Sequence, residues 1–397
     1  MRQRDFRLVW CGQTVSLLGD SFHVVALAWL VLQLSGSPLA LGGVLTARAM
    51  ASTALLLLGG VVVDRLTPHT LMVASAAARC VIVVVLTVVV AAGSATVAMV
   101  VALEVAFGCA DAFALPAAGS IAPTLLPSHH LEAASALGSI SDNISRLAGP
   151  LLAGALVAAF GVAPAFAVDA ASFAVAAALV AAVRPGQPGS PAPAQKGRHV
   201  VADVREGIGH VLTVPALRAV LVLFAAGALC LGGPYLVGLP ALTVGRFGGG
   251  ALLLGALYSA WGLGQLAGNL QGGMSAPPIR PATRVAGLTA LTAIGWALVA
   301  VAPAPLVAIA LIAAAGAADG VAEVIVPAWV QRQAQPRLLG RVMSGLEVAN
   351  NLALAVSLLV SGAVAAVAPG AVFAAGGVGL GLAALVPLLT VPREGRP

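Results

Sequence analysis

Twelve stretches of this chain run for 20 residues or more with little to offer water. They lie near 8–34, 38–63, 70–93, 96–118, 133–160, 164–183, 216–244, 250–274, 283–302, 304–330, 339–367 and 370–391, each ended by Gly, Pro, Ser or a charge. About 20 helical residues cross a hydrocarbon core. Inside it no water satisfies backbone groups, so a crossing segment must be a helix or a strand of a closed barrel. A strand needs only about half that length, which selects helices. The expected fold class is all-α integral membrane, with 12 transmembrane helices. Only 9% of the residues are charged and 60% are hydrophobic; a soluble domain carries about a quarter charged. The expected solvent is therefore the lipid bilayer. No basic stripe interleaved with aromatics suggests nucleic acid.

The positive charges test the count. Of 20 Lys and Arg, Arg48, Arg79 and Arg146 fall within spans. Twelve crossings leave only Arg246 on the outer side and put the other sixteen on the side of the N-terminus. That asymmetry marks the cytoplasmic face, and one missing span would spoil it. Both termini are expected in the cytoplasm of a cell-membrane protein. The first stretch reads as a retained span. It is too long for a secretory signal, carries Asp20 and His23, and ends without a small-x-small cleavage site.

Six spans precede the longest polar stretch, so two six-helix halves enter the membrane in the same direction, as parallel repeats do. The domains expected are 1–183, a cytoplasmic linker at 184–215 that is Pro-rich and then forms a short surface helix over 200–212, and 216–397. An internal echo supports two related halves: residues 108–154 return 208 positions later at 316–362, aligning Asp111 with Asp319, Asn143 with Asn351 and Gly154 with Gly362. In carriers such halves usually meet around a central site. The four cysteines, Cys11, Cys80, Cys109 and Cys230, are isolated and suggest neither a metal site nor a disulfide framework.

After span two the chain reads Gly60-x-x-x-Asp64-Arg65. Span five carries Asn143 and then Gly149-Pro150 with Gly154. Arg7-Leu8-Val9-Trp10 precedes span one, Leu18-Gly19-Asp20 lies within it, and Leu339-Gly340-Arg341-Val342 precedes span eleven. Together these resemble the major facilitator superfamily, and within it the twelve-span branch of drug, macrolide and siderophore exporters. The resemblance implies a conformational latch at Asp64 and Arg65, with Arg341 as a candidate neighbour. It also implies an antiporter-like bend at Gly149, Pro150 and Gly154. The basic residues that continue the loop motif in the superfamily are replaced here by Thr67-Pro68-His69. Span four also lacks the intramembrane Arg of many proton-driven exporters, so coupling must rest on the charges themselves.

A charge at mid-bilayer costs about 3 kcal/mol on insertion scales, so such residues usually face the bundle interior and mark a path. In the first half they are Asp20 and His23, three apart on one face, then Arg48, Arg79, Glu104 and Asp111, seven apart on one face, and Asp142 with Arg146, four apart and able to form an intrahelical pair. In the second half they are Asp319 and Glu323 on one face of span ten, and Glu347 with Asn351 in span eleven. A carboxylate pair four apart invites a proton or a cation. Alternatively, Arg146 or Arg48 crosses over to neutralise it. Asp169 is expected near the outer interface. Tyr258, Trp261 and Gln265 recur along one face of span eight, as cavity lining or as packing.

The expected function is secondary active transport, probed first as proton-coupled efflux of small amphipathic or cationic compounds by a monomer. The alternative is a metabolite importer or uniporter without proton coupling. An enzyme or a receptor is the remote third reading, since no catalytic motif appears. No cofactor and no metal are expected.

Overall fold

Thr67 and Thr96 show how helices begin in this chain. Each leaves extended backbone and accepts a hydrogen bond from the amide three residues on, Thr70 and Met99, and Pro68 follows the first of them at a position where no N–H is missed. The computed structural model describes residues 2–58, 67–183, 209–276, 278–333, 335 and 338–391. Among them all regular structure is helical: α1 Arg2–Ser35, α2 Pro38–Leu58, α3 Pro68–Ala91, α4 Val97–Asp111, α5 Ala114–Leu125, α6 Leu131–Phe160, α7 Val162–Ala181, α8 Pro215–Gly245, α9 Ala251–Met274, α10 Pro281–Val299, α11 Pro305–Gln333, α12 Leu339–Val367 and α13 Pro369–Thr390.

Ten of the described helices are long and apolar enough to cross a membrane. The expected segments 38–63 and 96–118 are not among the ten. The first is described as helix only to Leu58 and carries Arg48. The second is two shorter helices, α4 and α5, interrupted at Ala112 and Phe113, where Pro116 has no N–H to return to Ala112. The expected linker lies mostly outside the described residues; 209–213 is helical and Pro215 opens α8.

The chain divides into two units. One is Met1–Gly36 with Ala47–His199, the other Ser37–Thr46 with Val200–Pro397. In the first, α1 packs on α7 and α6, and α3 packs on α7, α4 and α5. Helix α3 shows the inside-out logic of a bilayer protein. Its valines Val81, Val84, Val85 and Val88 are exposed, while Ser75 and Arg79 are buried. Lipid takes the apolar face, and the polar face must find partners in protein.

In the second unit α11 is central, with α9 and α10 against it, and α13 against α10. The seam of α9 with α11 is built on glycine from both sides. A Cβ on Gly264 or Gly268 would strike the carbonyl of Ala313 or Ala317, and one on Gly316 or Gly320 would strike that of Trp261 or Gln265. Small residues let backbones touch where burying apolar surface gives no advantage over lipid. The first turns of α2 belong here too: Thr46 donates to the Ala355 carbonyl at 3.2 Å, and Gly42 lies against Leu358 of α12. Helix α8 widens into two π turns, Ala228–Gly232 and Pro234–Gly238. Between them the Gly233 amide donates to the Ser357 hydroxyl at 2.9 Å, and that hydroxyl donates to the Leu229 carbonyl. A serine of α12 thus stands inside the hydrogen-bond ladder of α8, a recognised cause of a bend.

The glycine seam makes a direct prediction. Gly268→Ala is expected to destabilise the protein by about 1–3 kcal/mol, read as a lower thermal midpoint in detergent. Gly287→Ala, where an added Cβ meets open space, is expected to leave the midpoint unchanged or raise it. Equal midpoints for the two variants would contradict the packing described.

Candidate functional site: two polar clusters inside the helices

The first unit gathers its charges into one chain of contacts. His23 of α1 has its Nδ1 2.8 Å from Asp169 Oδ2 of α7 and its Nε2 2.8 Å from Glu104 Oε1 of α4. Only 1% of His23, 1% of Glu104 and none of Asp169 is exposed. The other Glu104 oxygen accepts from Arg48 Nη1 at 3.3 Å. Arg48 of α2 also lies 3.9 Å from Asp111, which accepts from Arg79 of α3 at 3.1 Å. Aromatic rings wall the chain. Phe107 stacks on His23 at 4.8 Å and lies under the Arg48 guanidinium at 4.2 Å, and Phe173 lies under Arg79 at 4.5 Å. Glycine sets the spacing again. Gly108 admits the Arg48 backbone, and Gly19 admits Ser172 and the second oxygen of Asp169. That oxygen, Oδ1, is buried without a hydrogen-bond partner.

The second unit brings two of its acids to an amide. Gln265 of α9, only 3% exposed, donates from Nε2 to Asp319 Oδ2 at 3.1 Å and to Glu323 Oε1 at 3.2 Å, both on α11. Asp319 is half-buried and Glu323 exposed. An aromatic ladder runs alongside: Tyr235 to Tyr258 at 4.7 Å, Tyr235 to Trp261 at 6.2 Å, Trp261 to Trp296 at 5.5 Å, and Trp296 to Phe373 at 5.6 Å. The Tyr258 hydroxyl within it is buried and without a partner. The internal echo acquires a structural meaning here. Gly108 and Gly316 each seat against a backbone carbonyl of the second helix of their own half, at Arg48 and at Trp261. The acids one turn later, Asp111 and Asp319, each meet a polar side chain of that helix.

The remaining candidates are placed as follows. Asp20 and His23 share a helix face but are not bonded to each other. Asp20 is half-buried and makes no hydrogen bond or ion pair among the described residues. Asp142 and Arg146 form the expected pair at 2.7 Å and are exposed. Arg48 and Arg146 each bind an acid of the first unit. Glu347 is exposed and accepts from Asn351 at 3.4 Å. Gly149 and Gly154 are buried on α6 with Pro150 inside the helix, and Gly149 closes on Ser21 of α1. Gly60, Asp64 and Arg65 lie outside the described residues, and Arg341 is described only as backbone in the first turn of α12.

Asp169 needs correction. It was expected at the interface and is fully buried. Arg79 carries a fixed place in the network, and Gln265, read as lining, is the partner of both acids of α11.

Residues 9–354 match the sequence pattern of the Major Facilitator Superfamily. The chain belongs to this superfamily. It is 26% identical over 387 residues, 97% of this chain and 94% of the relative, to y4rN of Sinorhizobium fredii, described as an uncharacterised MFS-type transporter. It is 23% identical over 347 residues, 87% of this chain and 82% of the relative, to EntS of Citrobacter koseri, described as an enterobactin exporter. The nucleoside transporter NupG shares the fold, with a TM-score of 0.73 over 98% of this chain and all of that one at 13% identity. A superfamily member of this composition is a multi-pass transporter working in a lipid bilayer on a small-molecule substrate.

Three carboxylates in the first unit face two guanidiniums. Arg48→Met removes one of the two and is expected to cost about 3 kcal/mol, since removing one partner leaves buried charge uncompensated. Arg146→Met, in the exposed pair, is expected to stay within about 1 kcal/mol. Unfolding in mixed micelles measures both, and equal costs would contradict a structural role for the network.

Proposed function

We propose that this transporter exports small amphipathic or cationic compounds in exchange for protons, by alternating access. The observation that carries proton coupling is the seat of His23. A neutral imidazole has one N–H and one acceptor nitrogen, and a carboxylate only accepts. Two carboxylates at 2.8 Å from the two ring nitrogens are both satisfied only when the group of Asp169, His23 and Glu104 holds one extra proton. A proton that completes a buried hydrogen-bonded set is one that a transport cycle can load and unload. Arg48 links that set to Asp111, and Arg48 itself cannot give up a proton. Its part is to move: releasing Glu104 removes the charge that competes for the proton there. Asp20, half-buried and without a hydrogen bond or ion pair among the described residues, lies on the same face of α1 as His23 and is the acid we assign to pass the proton to that set.

Cationic substrates are supported by Asp319 and Glu323, two acids one turn apart on α11 that the Gln265 amide bridges. Export is supported by the likeness to an enterobactin exporter and by the motif in span five. The same reading places the protein in the cell membrane as a monomer, with twelve crossings and both termini cytoplasmic.

The test uses proteoliposomes with an acidic lumen and a lumenal pH dye, challenged with a panel of amphipathic cations. Wild type is expected to dissipate the gradient as the transported cation exchanges. His23→Gln and Asp20→Asn are expected to bind the cation and leave lumenal pH unchanged. Cation movement with a flat lumenal pH in the wild type would refute proton exchange.

A further inference from the structure

Helix α8 is interrupted where α12 touches it. In a regular α-helix the Gly233 N–H would bond the Leu229 carbonyl, four residues back. Ser357, buried on α12, stands between the two: its hydroxyl accepts from Gly233 at 2.9 Å and donates to Leu229. The next rung is missing as well, because Pro234 has no N–H for the Cys230 carbonyl. On either side the helix widens into its two π turns, a form frequent at functional sites. Glycine makes the entry possible, since a Cβ on Gly233 would strike both Ser357 and Ser361.

We infer that Ser357 is a positioning residue for transport: a hydroxyl wedge whose entry into the α8 ladder, and withdrawal from it, sets the bend of α8 and with it the place of Tyr235. Two arrangements keep every donor satisfied. With the wedge in, Gly233 donates to the hydroxyl and the hydroxyl to Leu229. With the wedge out, Gly233 donates to Leu229 directly, and the hydroxyl turns to the Ala353 carbonyl four residues back on its own helix, a common bond of helical serine. Neither leaves a buried donor without an acceptor, so neither carries the cost of an orphaned group. Two packings close in free energy are what a switching element requires. Entry of the wedge spreads the α8 rung on the side of α12 and bends the helix; withdrawal lets the rung close and straightens it. Tyr235 follows the break by one residue after Pro234. It stands 4.7 Å from Tyr258 and 6.2 Å from Trp261, ring centre to ring centre. Both of those rings belong to α9, which is seated on α11 by backbone contact along the glycine seam. The bend therefore shifts one ring across a wall that stays, on the helix that also carries Gln265 and its bonds to Asp319 and Glu323.

This rests on the alternating access proposed above, and not on proton exchange or on the charge of the substrate. Ser357→Ala separates a wedge from a brace, because the two predict opposite signs. The full chain is reconstituted in nanodiscs, and hydrogen–deuterium exchange over 229–239 is followed by mass spectrometry. A wedge that is removed lets the direct bond close, so exchange there is expected to slow about fivefold, the worth of one hydrogen bond, with the thermal midpoint kept. A brace that is removed strands Gly233 and Leu229, so exchange would quicken and the midpoint fall. That result would overturn the proposal, as would unchanged exchange. Ser361→Ala, one turn along α12 against the same glycine, is expected to match wild type, and equal slowing in it would also overturn the wedge. Tetraphenylphosphonium supplies the functional arm. Ser357→Ala is expected to bind it as wild type does and to move it at least about fivefold more slowly, being held in one of the two arrangements. Slowed exchange with wild-type movement would overturn the role in transport. Failure of wild type to move this cation would count against the cationic reading, and the exchange result would still decide the wedge.

Discussion

Charge inside hydrocarbon has to be met by charge or by a hydrogen bond, and the interior of each unit is arranged around that requirement. A lone ion at mid-bilayer costs about 3 kcal/mol or more. A chain that keeps Asp, Glu, His and Arg in its spans must therefore bring them face to face. In the first unit His23 meets Glu104 and Asp169, Glu104 meets Arg48, and Arg48 and Arg79 meet Asp111. Five helices contribute to one string of contacts. That string can form only because Gly19 and Gly108 let backbones come close enough for short acids to reach. Polar need and small-residue packing are two sides of one constraint.

In the first unit the buried acids meet histidine and arginine, and in the second Asp319 and Glu323 meet the Gln265 amide. Arginine stays charged, so the acids it touches keep their partners whether or not a proton is present. The group of Asp169, His23 and Glu104 is the part of that network whose bonding depends on a proton. In the second unit a neutral amide does the bridging, and an amide can offer either a donor or an acceptor. Gln265 is thus chemically compatible with more than one protonation state of Asp319 and Glu323. The π turns of α8, with the Ser357 hydroxyl taking the place of a backbone bond, show the same tolerance in the backbone.

Much of this was legible in order. Twelve long apolar segments gave the all-α membrane class, because a bilayer leaves the backbone few alternatives. Asp and Asn, rare in this chain, made the 208-residue echo visible, and its glycines proved to seat each half's fourth helix on its second. Asp142 with Arg146, four apart, read correctly as a pair because that geometry is local to one helix. Asp169 was misread, since its position near the start of an apolar run looked interfacial and its partners lie 146 and 65 positions away at His23 and Glu104.

The sequence by itself determined that this chain lives in lipid, that it is helical, and which residues would be expensive to bury. Hydropathy, spacing and rarity are properties of the chain alone, and lipid punishes their violation locally. Only the tertiary structure decided that His23 sits between two acids, that Arg48 serves Glu104 and Asp111, that Gln265 bridges the acids of α11, and that the first turns of α2 pack with α12. Those pairings join residues far apart in the chain. Which acid meets which base depends on how helices are rotated and how closely glycine lets them approach, and no local pattern encodes either.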